Sequence, residues 1–193
     1  MNCLVTKKTK AKEWFTIIAP KIFDEREIGR TMTSDPKSMI GRKLILSMME
    51  LTDSFDKFYM KISFRIIKIE GNKAYTIFDG SECLRDYISR MVLRRSRRID
   101  TIQDLKTKDG LTMRVKCLAI ISKRIKSNIQ LKIRNQIKEK IKKEVESLTL
   151  EEFVNKIISD EIKKKILREE RRIYPVRNFE IRKTEMSTQA KTE

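Results

Sequence analysis

Acidic clusters are the first place where this chain could do chemistry. Asp24, Glu25 and Glu27 lie almost side by side, Asp53 is close to Asp56, and Asp100 is close to Asp104. Carboxylates so spaced can hold magnesium and activate a water against a phosphodiester. Nothing else in the chain completes such a site. There is no histidine, the commonest general base and metal ligand. Cys3, Cys83 and Cys117 are odd in number and too far apart for metal-ligand spacing or a disulfide framework. The five glycines form no G-x-G pattern that would cradle a nucleotide phosphate. Acids in loops are usually solvated or paired with nearby lysines. The residues therefore argue against an enzyme, a resident metal or a cofactor.

The cations carry a stronger signal. From Leu84 to Arg98 the apolar residues Leu84, Tyr87, Ile88, Met91 and Val92 recur at the spacing of one helical face. Arg85, Arg90, Arg94 and Arg95 occupy the rest, Arg97 and Arg98 follow, and Asp86 is the one acid among them. The spacing predicts an arginine-rich helix over about 82–96, with Ser81 as a candidate N-cap. Such a helix would bury an apolar stripe and hold out guanidiniums, which stay charged at cellular pH and bind phosphate oxygens in bidentate fashion. An arginine face can also be a solvated helix C-terminus, where cations suit the dipole.

Composition favours the first reading. The 193 residues carry a net charge of +18, with 39% hydrophobic and 37% charged residues. A modest core can form, and the surplus charge repels itself unless a polyanion screens it. The N-terminus lacks the apolar run of a signal peptide, and no stretch is long and apolar enough to span a bilayer. Three scattered cysteines fit a reducing compartment.

Residues 1–12 read as a flexible basic arm bearing Lys7, Lys8, Lys10 and Lys12. Trp14 to Ala19 favours an extended segment ended by Pro20. Trp14 itself is either a core anchor or a platform on which a base stacks. Residues 24–41 read as loop. Alternation of Leu44, Leu46 and Met48, and of Phe58, Met60, Ile62, Phe64 and Ile66, predicts strands. A turn over Glu70 to Lys73 leads to a return strand, Ala74 to Phe78. Ile99 to Thr107 and Leu111 to Ile121 form a second hairpin about Gly110.

Ile129, Ile133, Ile137, Ile141 and Val145 recur every fourth residue, a helical stripe that drifts instead of forming a heptad seam. Around it lie Lys123, Arg124, Lys126 and Arg134. Thr149 and Glu152 have capping-box spacing and start a second helix. A third runs from about Asp160 to Arg172, ended by Pro175. The expected fold class is α+β: an antiparallel β-barrel-like body over 13–126 with the arginine helix inserted, a helical C-terminal third over 127–183 packed on it, and a frayed tail over 184–193.

Separate basic clusters suit a folded nucleic acid gripped at several points. No zinc-ligand pairs or aromatic, glycine-rich RNA-recognition strand appear, so binding should be dominated by phosphate and shape, as for structured RNA. The first candidates for phosphate contact are Arg90, Arg94, Arg95, Arg97 and Arg98. Lys123, Arg124, Lys126 and Arg134 come next, then the lysine arm. A basic helix lying on an anionic membrane surface would explain the 129–145 stripe but not the arginine helix between strands.

Several segments occur in one order: Trp14-Phe15-Thr16 through Ala19-Pro20, Gly41-Arg42, Arg85-Asp86-Tyr87 through Arg94-Arg95-Ser96-Arg97-Arg98-Ile99-Asp100, and Thr107-Lys108-Asp109-Gly110 through Arg114-Val115. Ile173-Tyr174-Pro175 and Glu180-Ile181-Arg182-Lys183 follow. Over about Lys12 to Lys183 this resembles the small-subunit ribosomal protein family S-three-a-e, also called eS-one, in its shorter archaeal form. The family commonly has Gly-His where Gly80-Ser81 stands and leucine where Cys83 stands. The resemblance implies a structural constituent of the small ribosomal subunit, cytoplasmic and ribosome-bound. It implies contact with small-subunit ribosomal RNA near its 3′ end, on the platform by the mRNA exit, beside neighbouring ribosomal proteins. The alternative is a free-standing RNA chaperone or translation-associated factor.

Overall fold

The computed structural model describes residues 11–52, 55–171 and 174–187. Its elements are the strands β1 (Glu13–Ile18), β2 (Glu27–Thr33), β3 (Lys43–Ser47), β4 (Met60–Glu70), β5 (Lys73–Cys83), β6 (Arg97–Lys106), β7 (Thr112–Ile121) and β8 (Val176–Met186). Five α-helices accompany them: α1 (Met48–Thr52), α2 (Arg85–Met91), α3 (Ser127–Ser147), α4 (Leu150–Ile158) and α5 (Glu161–Arg171). The chain divides into two compact units. One comprises 1–46 and 63–79, the other 47–62 and 80–193, so β4 and β5 contribute to both.

In the first unit β1 pairs antiparallel with β2 and in parallel with β5, where Ile17 meets Ala74. Alternation along β1 turns Phe15 and Ile17 inward, where they pack with Met39, Ile66 and Ala74. Phe23 meets Phe64 edge-to-face at 5.4 Å. Asp79, buried, is held between Lys43 at 2.7 Å and Arg65. The parallel pair corrects the all-antiparallel expectation, and β2 corrects the reading of 24–41 as loop. Glycine, charges and half-buried side chains along β2 hide its alternation, but pairing with β1 satisfies its backbone.

In the second unit the strand order is β5-β8-β7-β6, with antiparallel pairing throughout. Neither unit's strands close on themselves among the described residues, so the sheet is mixed and open instead of barrel-like. Helix α3 covers β6, and Gln103 donates to the Lys138 carbonyl at 3.3 Å. Of the predicted stripe, Ile129, at the helix start, is half-buried, and Ile133, Ile137, Ile141 and Val145 are buried. Each such side chain is worth about 1.5–3 kcal/mol relative to exposure. Helix α4 starts on the foreseen capping box: Glu152 N–H donates to Thr149 Oγ1 at 3.3 Å, and Thr149 N–H donates to Glu152 Oε2 at 3.0 Å. Helix α5 packs on β8.

The C-terminal third is therefore helical only as far as Arg171; β8 was not legible as a strand. Phe179, Glu180 and Ile181 are all buried in succession, which erases the period of two. Thr184, placed by the sequence at the start of a frayed tail, is buried and accepts from the backbone N–H of Ser81 at 2.9 Å.

Candidate nucleic-acid interface

Helix α2 begins where Leu84 N–H donates to the Tyr59 carbonyl at 2.8 Å. Ile88 is buried, and the Tyr87 ring stacks on Tyr59 at 3.9 Å. Tyr87 donates its hydroxyl to Glu180, which also pairs with Lys163. Burial next to the Glu180 carboxylate drives the Tyr59 and Tyr87 phenols far above their ordinary range, so both stay neutral and Tyr87 keeps the proton it donates. The apolar face predicted for the arginine helix is thus the face that anchors it.

The helix is shorter than the expected 82–96. Its N-cap is Leu84, not Ser81, which is engaged with Thr184 in the β5–β8 pairing. It ends at Met91, because Val92 turns to extended backbone. Leu93 to Ser96 then form a turn closed twice on the Leu93 carbonyl, by Ser96 N–H at 3.1 Å and by Ser96 Oγ at 2.6 Å. Arg95 sits in the left-handed region, with φ at 69°, a conformation that costs a non-glycine residue about 1–2 kcal/mol. Only Arg90 of the predicted phosphate binders is on the helix. Arg94 and Arg95 are in the turn, and Arg97 and Arg98 open β6.

That turn is what brings the clusters together. Arg97 pairs with Ile121 across the β6–β7 hairpin, so the entry to β6 lies beside the exit from β7. Arg95, Ser122, Lys123 and Arg124 line one open depression there. Lys126 is the N-cap of α3, and Gln130 in its first turn accepts from Arg97 Nε at 3.4 Å. Arg90, Arg94, Arg95, Lys123, Arg124 and Lys126 are exposed and make no ion pair among the described residues. Arg98 differs: its guanidinium embraces Asp100 at 2.9 Å. Arg134 is half-buried, with its Nε out of solvent and unpartnered.

Other predicted residues belong elsewhere. Lys7, Lys8 and Lys10 lie outside the described residues, and Lys12 is exposed just ahead of β1. Trp14 is 61% exposed opposite Met32 on β2, so it is no core anchor. The acids form no metal-binding group among the described residues. Glu27 pairs with Arg30 at 2.7 Å, Asp104 with Arg114 at 2.6 Å, and Asp24 and Glu25 are exposed in a turn. Asp53 lies outside the described residues. Cys83 and Cys117 are buried and free, and burial pushes both thiols up to about 12.

Sequence reasoning missed Arg182 and Lys116, which join Arg85 and Arg98 in a second hollow. The available signal was the adjacent cations Arg182-Lys183. In a strand, neighbours point to opposite faces, so both can reach one hollow only through a ladder irregularity.

Fold and face together define a basic α+β protein whose exposed cations from two loops meet at one end of the β6–β7 hairpin. The chain belongs to the Ribosomal S3Ae family, whose sequence profile matches residues 4–190. It is 38% identical over 187 residues to the small ribosomal subunit protein eS1 of Methanopyrus kandleri, covering 95% of this chain and 89% of that protein. The eS1 protein of Desulfurococcus amylolyticus is 38% identical over 185 residues, 96% of this chain and 87% of its own length. That of Sulfurisphaera tokodaii is 36% identical over 182 residues, 94% of each.

Proposed function

We propose that this chain is a structural constituent of the small ribosomal subunit, acting in translation by holding ribosomal RNA. The observation that carries the reading is the convergence of unpaired cations from the α2–β6 turn and the β7–α3 loop at one end of a hairpin. Folding gains nothing from gathering like charges there. A phosphate backbone supplies the counter-charge and releases its own counterions. The family and the names of its relatives supply the particle.

Within this reading Arg90, Arg94, Arg95, Lys123, Arg124 and Lys126 form the main phosphate-binding crest, with Arg97, Arg98 and Arg134 supporting it. The arm over 1–12 adds Lys7, Lys8, Lys10 and Lys12, and exposed Trp14 offers a face for a base to stack on. The body over 13–126 and the part over 127–183 keep these cations in place. The site of action is the platform, near the 3′ end of the RNA and the mRNA exit, beside neighbouring subunit proteins, on ribosomes in the cytoplasm.

The test is sedimentation. The tagged chain should travel with the small subunit through a high-salt sucrose gradient. A free-standing RNA chaperone would wash off, and that result would overturn the assignment. Crosslinking within purified small subunits then reads the neighbours: crosslinks confined to RNA and proteins away from the platform would refute the location.

A further inference from the structure

The second hollow is lined by Arg85 of α2, Arg98 of β6, Lys116 of β7, and Arg182 and Lys183 of β8, with Glu82 as the one carboxylate. Three features set it apart from a regular ladder. Lys116 stands directly opposite Lys183 in the β7–β8 ladder, an arrangement that destabilises a sheet. The register then jumps from Lys116↔Lys183 to Cys117↔Ile181, so Arg182 is the extra residue of a β-bulge. Bulges re-aim a side chain. The Nε of Arg182 ends buried with no hydrogen-bond partner, although buried donors are almost always satisfied.

The surrounding acids leave a defined remainder. Glu185 takes Lys116 at 2.8 Å and Lys183 at 3.0 Å. Glu82 takes Lys183 at 3.1 Å, and Asp100 takes Arg98. No carboxylate pairs with Arg85 or Arg182 among the described residues. Two guanidiniums therefore line the hollow without a carboxylate partner, while its two lysines are matched by Glu82 and Glu185. A tetrahedral oxyanion satisfies both forks at once.

We propose that this hollow is a phosphate-binding pocket, separate from the crest, in which Arg182 and Arg85 together hold one phosphate group. That the phosphate is a backbone phosphodiester of bound RNA rests on the function proposed above; the pocket's chemistry does not.

The experiment uses the full chain and two probes. In thermal melts at matched ionic strength, inorganic phosphate should raise Tm above its value in chloride. Arg182→Gln and Arg85→Gln should each abolish most of that difference, and Arg114→Gln, whose guanidinium is already taken by Asp104 at 2.6 and 2.9 Å, should retain it. Arg85 is exposed on a helix, so its variant remains informative if Arg182→Gln folds poorly. In the second arm, the slope of log K against log salt for a structured small-subunit RNA fragment should fall by roughly 0.7 to 0.9 in Arg85→Gln. Equal phosphate response in wild type and both variants would overturn the pocket. A lost phosphate response with an unchanged RNA slope would uphold the pocket and overturn RNA as its source. A chain that bound no RNA yet kept the phosphate response would refute the function proposed above while leaving the pocket standing.

Discussion

Changing Arg94, Arg95, Lys123 and Arg124 together to glutamine removes four exposed cations that make no ion pair among the described residues. If each neutralises one phosphate, the slope of log K against log salt becomes shallower by about 3, at roughly 0.7 to 0.9 per contact. The same relation makes the variant about a thousandfold weaker near 0.1 M salt, with the two curves converging towards 1 M. Fluorescence anisotropy of a structured small-subunit RNA fragment, titrated at several potassium chloride concentrations, reads both quantities. The control is Arg114→Gln, because Arg114 already spends both arms of its fork on Asp104, at 2.6 and 2.9 Å. Its slope should shift by less than one contact. Arg98→Gln should likewise fall short of a crest position, since Asp100 competes for that guanidinium. The crest side chains hold no other element in place, so the melting behaviour of the fourfold variant should match wild type to within about 0.5 kcal/mol per site. An unchanged slope, or an equal change from Arg114→Gln, would refute the idea that free cations at this hairpin end drive binding.

Four further outcomes follow from the packing and the titrating groups. Thr149→Ala should cost about 1 kcal/mol in urea denaturation, because it leaves the Glu152 N–H without its cap. Gly80→Ala should destabilise by several kcal/mol or prevent folding, read by circular dichroism, since a Cβ there would lie 2.2 Å from the Thr184 carbonyl oxygen. Lys140→Ala should cost about 2–3 kcal/mol by denaturant titration, as it strands the Glu170 carboxylate, 1% exposed, without its partner at 2.7 Å; that is below the figure for a fully buried pair because Lys140 keeps some solvent. Stability should also depend on pH at both ends. The Lys116 and Lys183 ammonium groups hold Glu185 below the usual carboxylate range, so its contribution is present above about pH 4.5 and is lost as pH falls through its folded value. Burial holds Cys83 and Cys117 up to about 12, so their contribution is full below the ordinary thiol range and declines as pH rises from there towards 12. Urea midpoints across pH check both signs, and a midpoint that rose in acid would contradict the first.

The sequence determined what short-range physics can write. The strand through Met60, Ile62, Phe64 and Ile66, the hairpin about Gly110, the α3 stripe and the Thr149–Glu152 box each depend on residues within a few positions of one another, and each is present, although Phe58, expected on the same strand face, is exposed ahead of β4. The cationic character was legible for the same reason: charge is a property of residue type. Tertiary structure decided the rest. Helix α2 stops at Met91 because Ser96 closes a turn on Leu93, which moves Arg94 to Arg98 from a helix face to a hairpin end. Strand β8 is built by partners about a hundred residues away in β5 and 55 to 73 away in β7, and no local period announces it. Register between distant strands sets Arg95 beside Lys123, and a bulge brings Arg182 into a hollow with Arg85. Such proximities depend on long-range hydrogen-bond ladders, whose register is a property of the folded chain and of no single segment.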